Sequence, residues 1–248
     1  MQTFYSTDVG KIREHNEDNV IILKNKNNEY LLAVADGMGG HRAGEVASAI
    51  VIDYLTQEFY NLDTLGDKES AIDFLRNVVV EMNNKIFDYT KENPDSKGMG
   101  TTFVCAIKTK DYLLYGNIGD SSGYVIKKNK LHKVTKDHTL VNLLVSTGEL
   151  TKEEAKYHPR KNVLMRALGV ETPTPIEIDI FDVENTTDGI LLCSDGLTNM
   201  LTDEQIEKVL AEEKTVEDAV IKLIKKANAR GGNDNISVAY LKKESGDL

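Results

Sequence analysis

Three apolar runs in this chain each end on an aspartate, and a fourth aspartate stands just before the last alternating run. Leu31-Leu32-Ala33-Val34-Ala35 delivers Asp36, Tyr115-Gly116-Asn117-Ile118-Gly119 delivers Asp120, and Leu191-Leu192-Cys193-Ser194 delivers Asp195. Asp234 lies within Gly231-Gly232-Asn233-Asp234-Asn235. Turns favour Asp, so any one of these alone reads as an ordinary strand end. Together they constrain the fold more, because glycine borders three of them: Asp36-Gly37, Gly119-Asp120 and Asp195-Gly196. Glycine lets the backbone approach an ion and offer its carbonyl as a hard oxygen ligand. If these strand ends meet in space, their carboxylates repel one another and cannot all ionise without cations between them.

Carboxylate and carbonyl oxygens suit Mg²⁺ or Mn²⁺ in near-octahedral, partly hydrated geometry. Zinc is disfavoured, because His and Cys residues at ligand spacing are missing. A two-metal centre would polarise a phosphoryl group and lower the pKa of a bridging water for in-line attack. The segment Gly10-Lys11-Ile12-Arg13-Glu14-His15-Asn16-Glu17-Asp18 supplies a cation of its own. Arg13 there can clamp phosphate oxygens bidentately and stabilise charge building up on them. A lone arginine is usually a surface residue; beside Asn16-Glu17-Asp18 and the Asp-Gly elements it becomes a candidate.

Composition bounds the alternatives. With 248 residues, 40% apolar and 28% charged, the chain has the profile of an ordinary globular protein long enough to bury a real core. Its formal charge of −10 argues against a general nucleic-acid binder, which needs a basic footprint. The longest apolar runs, such as Ile190 to Cys193, are too short to span a bilayer, and the N-terminus lacks the pattern of a signal peptide. A cytoplasmic location without membrane insertion is therefore expected. Cys105 and Cys193 sit in apolar runs and read as buried small hydrophobes rather than a disulfide or a nucleophile.

No repeat or charge block divides the chain, so residues 1–248 read as one domain with a polar tail over 242–248. Short strand-like runs occupy 3–9, 19–24 and 30–35, followed by helical spacing over 43–60 and 68–91. Strand signals return over 101–108 and 112–118, and again at 124–127 and 130–134 around Lys128-Asn129. The stretch 137–159 reads as polar, with a short helix after Thr151, where Thr151 and Glu154 fit a capping box. Strands are expected at 176–183 and 189–193. Helices follow behind Thr202/Gln205 and Thr215/Asp218, and a closing strand covers 235–241. Grouped strands with helices in pairs favour layered antiparallel sheets covered by helices, an α+β class, over a regular βαβ alternation.

The ordered set Gly10-x-x-Arg13-x-x-Asn16-Glu17-Asp18, Asp36-Gly37-Met38-Gly39-Gly40-His41, Gly119-Asp120-Ser121, Ser194-Asp195-Gly196-Leu197 and Gly232-x-Asp234-Asn235 resembles the PPM (PP2C-like) metal-dependent protein phosphatases over nearly the whole chain. The likeness is greatest to the compact bacterial serine/threonine enzymes. It implies a four-layer α-β-β-α sandwich of two antiparallel sheets flanked by helix pairs, with a small flap at about 145–160. It further implies that Asp36 bridges two Mn²⁺ or Mg²⁺ ions and that Gly37 offers its carbonyl to one of them. Asp195 and Asp234 would serve the other ion, with Glu17 and Asp18 acting chiefly through metal-bound water. Asp120 with Asp195 would hold a third ion, and Arg13 would hold the substrate phosphate. Implied partners are phosphorylated proteins, the substrates of a cognate membrane-anchored serine/threonine kinase, and the enzyme is expected to be a monomer.

Two positions depart from the family pattern. Met38 stands where animal members carry a histidine, leaving His41 or a water as the proton donor, and Ser122 replaces the arginine of the usual Gly-Asp-Ser-Arg element. His15, His132, His138 and His158 have no partner at ligand spacing and read as solvated or supporting residues. Asn233 and Asn235 are expected to satisfy loop backbone groups around Asp234. Two other readings stay open at this level. A two-metal phosphodiesterase would cleave a plain oligonucleotide under Mn²⁺, and a catalytically silent phosphatase-like binding module would hydrolyse neither phosphopeptide nor aryl phosphate.

Overall fold

The computed structural model describes residues 1–40, 43–170 and 175–244. The chain opens with strands β1 (Gln2–Asp8), β2 (Asp18–Lys24) and β3 (Tyr30–Met38). Helix α1 (Ala43–Asn61) and the long α2 (Lys68–Glu92) follow. α2 starts where the Asp67 side chain accepts from the Ser70 amide, and it buries Ala71, Leu75, Val79, Met82 and Ile86 along one face. The single run expected over 101–108 is two strands, β4 (Gly100–Thr101) and β5 (Phe103–Lys108), because Thr102 leaves the ladder and donates its amide to the Asp36 carbonyl.

β6 (Leu113–Ile118) and the hairpin β7 (Ser122–Lys127) and β8 (Lys130–Lys133) come next. Lys128 and Asn129 both take positive φ, 52° and 61°, as a type I′ hairpin turn requires. The segment read as merely polar holds two helices, α3 (Leu140–Ser146) and α4 (Lys152–Tyr157). α4 carries the expected Thr151/Glu154 capping box. α3 was not expected: its seven residues are too few to show a helical period, and Thr139 starts it by accepting from the Asn142 amide.

β9 (Asp179–Val183) begins three residues later than the apolar run suggests, at the rung where Asp179 meets Asn117 of β6. β10 (Gly189–Cys193), a short turn of helix α5 (Asp195–Thr198), α6 (Asp203–Glu212), α7 (Val216–Ala229) and β11 (Ile236–Lys242) complete the chain. The expected tail therefore begins after Lys242, and residues 245–248 lie outside the described residues.

Among the described residues, one antiparallel sheet runs β1-β11-β10-β7-β8 and the other β2-β3-β5-β6-β9, with β4 paired to β3. The period-2 alternation of each strand sorts its side chains between layers. In β3, Leu31, Ala33 and Ala35 pack beneath α1 and α2, while Leu32 and Val34 face the other sheet. In β10, Leu191 and Cys193 pack against α6 and α7, while Ile190 and Leu192 face inward. The result is the α-β-β-α sandwich implied by the family resemblance. Cys105 and Cys193 fall in different helix-sheet layers; both are buried and free. Among the described residues no helix is long and apolar enough to cross a membrane.

Candidate active site

Both sheets deliver acidic strand ends to one edge of the sandwich. β2 begins on Asp18 and pairs antiparallel with β3, which places Asp18 directly opposite Asp36. Asp120 follows β6, Asp195 opens α5 at the end of β10, and Asp234 precedes β11. These carboxylates share one electrostatic environment. Burial, then the charges of Asp18, Asp195, Asp120 and Asp234, hold the Asp36 carboxyl well above the ordinary range. Asp18 is pushed up to about 7 by burial, against hydrogen bonds from serine, with Asp195 and Asp234 adding to the rise. Burial with the charges of Asp195 and Asp137 raises Asp120 to about 7, and burial with Asp234 raises Asp195 to about 6. Glu17 is raised as well, chiefly by burial.

Backbone approach at this edge is close. A Cβ on Gly37 would collide with the carbonyl oxygen of Gly44 and lie 2.5 Å from that of Glu17, so only glycine fits between α1 and the Glu17 loop. Strand β3 continues through Asp36-Gly37 to Met38 because Gly37 and Met38 pair with Thr101 and Gly100 of β4. Met38 packs over Gly100, in keeping with a packing role. Ser122, in place of the arginine, is buried at the start of β7.

Several residues that hold the acids were not singled out from the sequence. The Thr102 hydroxyl accepts from the Asp36 amide at 3.0 Å and shares a 2.7 Å hydrogen bond with Ser121, joining the Asp36 and Asp120 loops. Ser194 donates to Asp18 Oδ2 at 2.7 Å, and Asn199 donates to Asp195 Oδ2 at 2.9 Å. Small polar residues beside acidic strand ends are the signal that could have flagged them. Asn235 behaves as expected: its Oδ1 accepts from the Glu17 amide, and its Nδ2 donates to the carbonyls of Val9 and His15.

Arg13 donates to Asp234 Oδ2 at 2.8 Å, which places the expected phosphate clamp within the acidic edge. His41 lies outside the described residues. A groove of about 330 Å³ opens beside Asp120 and Asp195 and is walled on its other side by Val145, Lys152, Lys156 and Lys161. The segment expected as the flap thus borders the acidic centre.

A divalent cation fits these residues on two observations. Glu17 Oε1 and Asp18 Oδ1 are buried without a hydrogen-bond partner, so acceptor oxygens of two of these acids are left unsatisfied. The donor set is wholly oxygen and acidic, the chemistry of a hard cation. Among the described residues no three acidic, His or Cys side chains already close into ligand geometry.

A sandwich of two antiparallel sheets with acidic strand ends at one edge is an arrangement suited to a hard divalent cation, and comparison with known proteins gives the family. A family model described as Protein phosphatase 2C matches residues 11–237. The chain is 44% identical over 244 residues to the serine/threonine phosphatase stp of Listeria welshimeri, covering 98% of this chain and 96% of that protein. It is 33% identical over 247 residues to the protein phosphatase PhpP of Streptococcus pneumoniae, covering 100% and 99%. Among solved structures, the serine/threonine phosphatase Stp1 from Staphylococcus aureus superposes with a TM-score of 0.89 at 38% identity, over 98% of this chain and 95% of that one. The Mycobacterium tuberculosis serine/threonine phosphatase PstP/Ppp superposes with a TM-score of 0.84 at 35% identity, over 98% and 100%. The chain belongs to the protein phosphatase 2C family.

Proposed function

We propose that this chain is a serine/threonine protein phosphatase that hydrolyses phosphoserine and phosphothreonine in proteins with Mn²⁺ or Mg²⁺ as cofactor. Asp36, the Gly37 carbonyl, Asp195 and Asp234 would hold two ions, with Glu17 and Asp18 oriented toward them. Asp120 with Asp195 would hold a third. Bound there, the ions supply an activated water and neutralise the phosphoryl oxygens during in-line attack. Arg13 exchanges its contact with Asp234 for the substrate phosphate, presenting a planar donor pair to two of its oxygens. Thr102 and Ser194 fix Asp36 and Asp18, so little reorganisation is needed as charge develops. The proton needed by the leaving serine or threonine alkoxide comes from water or from His41.

The observation that carries this reading is the placement of Asp18, Asp36, Asp120 and Asp195 close enough to raise one another's carboxyl pKa, with Arg13 bonded to Asp234 among them. The reading extends to residues 1–248 acting as one catalytic domain, a monomer in the cytoplasm. Its substrates would be proteins phosphorylated by a membrane-anchored serine/threonine kinase. The segment over about 145–160 acts as a flap bordering the groove. The test is hydrolysis of a phosphothreonine peptide: Mn²⁺ should support turnover, while chelator or Asp234→Asn should abolish it. Turnover that persists in chelator would overturn the proposal.

A further inference from the structure

Among the histidines read as solvated or supporting, His138 stands apart. Its side chain is only 10% exposed, and His138 holds a single residue, Gly119, at both its amide and its carbonyl, which belong to the two peptide groups either side of the Gly119 Cα. The His138 amide donates to the Gly119 carbonyl at 2.9 Å, and the Gly119 amide donates to His138 Nδ1 at 3.1 Å. Because Nδ1 accepts, the ring proton sits on Nε2, which is 3.0 Å from Asp179 Oδ2. Asp179 is held in turn by Arg166, whose Nη1 donates to Oδ1 at 2.9 Å and whose Nη2 donates to the Glu177 carbonyl at 2.7 Å. The chain of contacts therefore runs Arg166, Asp179, His138, Gly119, and ends one bond short of Asp120.

Gly119 has little freedom to answer this grip in any other way. It adopts φ +105°, and a Cβ there would lie 2.7 Å from the Thr102 side chain. Its carbonyl takes a further bond from Asn117 Nδ2 at 3.2 Å. His138 also ties this loop to both ends of the α3–α4 segment. Thr139, the next residue, caps α3, and the His138 carbonyl accepts from the Met165 amide at 2.8 Å where the chain returns. Burial, reinforced by the Arg166 charge and opposed by the bond to Asp179, holds the imidazole below its ordinary pKa, so the ring stays neutral and Nδ1 remains an acceptor.

We propose that His138, oriented by Asp179 and Arg166, is a positioning residue that sets the Asp120 carboxylate by clamping Gly119 at its amide and its carbonyl. This rests on the reading of Asp120 as a ligand of the third ion. Supporting groups that orient a ligand typically change metal affinity or activity by about 10–100-fold when removed. The test is Mn²⁺ binding followed by calorimetry alongside Mn²⁺-dependent phosphopeptide hydrolysis. His138→Ala should weaken one Mn²⁺ step, the step that Asp120→Asn loses and that we assign as the weakest, by about 10–100-fold and leave the other steps in place. His138→Asn, whose Oδ1 can still accept from the Gly119 amide, should restore most of that step.

A His138→Ala protein that binds Mn²⁺ as the parent does would overturn the proposal, as would one that weakens every step equally. Should His138→Ala fail to fold, Asp179→Ala carries the test. It removes the orienting carboxylate and spares the Gly119 contact, so a smaller shift of the same step is expected and an unchanged titration overturns the proposal. Asp120→Asn separates the two levels. If it leaves every Mn²⁺ step intact, Asp120 is not a ligand and the proposal falls with that reading. If it loses the weakest step while the His138 and Asp179 variants do not disturb it, the proposal alone falls.

Discussion

Strand β3 has a carboxylate near each end, and the two are treated in opposite ways. Glu29, just before the strand, is 8% exposed and receives Asn25 Nδ2 at 2.6 Å, Thr64 Oγ1 at 2.8 Å and the Leu65 amide at 2.8 Å. Burial pushes its pKa up, but these donors outweigh it and the net shift is downward. Asp36, near the other end, meets the charges of Asp18, Asp195, Asp120 and Asp234, and its pKa is driven upward. Burial acts upward on both; at Glu29 hydrogen-bond donors outweigh it, whereas at Asp36 burial is the largest cause and like charges add to it. What differs is whether the surroundings supply protons or more negative charge. A carboxylate with its own donors locks the loop before β3. A group of carboxylates that outnumbers the counter-charge Arg13 brings to it is an arrangement suited to added divalent cations.

The largest effect should come from Asp36→Asn. Loss of the group placed to bridge two ions removes several kcal/mol of transition-state stabilisation, a fall in kcat on the order of 10³-fold. In chelator the same variant should melt at a higher temperature than the parent, because a repulsive buried charge is gone. A lower melting temperature in calorimetry would contradict the electrostatic contrast with Glu29.

A second test is pH. Asp18 and Asp120 near 7 and Asp195 near 6 must lose protons to bind a cation, so Mn²⁺ affinity should rise about tenfold per pH unit between 6 and 7 for each proton released. The sign for stability is the reverse in the metal-free protein. Carboxyls whose folded pKa lies above the unfolded value bind more protons when folded, so stability falls as pH rises through that window. In chelator the melting temperature should therefore drop from pH 5.5 to pH 7.5, and excess Mn²⁺ should cancel or invert the trend. Glu29, with its lowered pKa, contributes oppositely and only at lower pH, losing its stabilisation as pH falls through its folded value.

The smallest effect belongs to Glu29→Gln, which should cost about 1–3 kcal/mol of stability in urea unfolding, the range for hydrogen bonds to a charged group. Its kcat should match the parent, and a large loss of turnover would break the division of roles along β3.

Local pattern made much of this chain legible. The apolar run Leu31 to Ala35, the Lys128-Asn129 turn and the Thr151/Glu154 box are signals contained in a few adjacent residues, and each produced the expected element. α3 was missed because seven residues cannot display a helical period; contacts elsewhere hold it, such as the Leu140 amide on the Val163 carbonyl. Thr102 gave no strong signal, and Ser194 stood in the Ser194-Asp195-Gly196-Leu197 motif with no partner assigned, since a hydroxyl in sequence does not say which amide or carboxylate it will meet. His138 was set aside among solvated or supporting histidines because its partners, Gly119 and Asp179, are distant along the chain.

The amino-acid order by itself determined most of the strands and the longer helices, the acidic strand ends and their glycines, because turn chemistry and side-chain period act over a few residues. Only the tertiary structure decided that Asp18 stands opposite Asp36, that Asp120 and Asp195 arrive from different sheets at the same edge, and that Arg13 reaches Asp234. Those outcomes depend on strand order and register, which are chosen by how whole faces bury against one another, and a cooperative choice of that kind has no local signature in the chain.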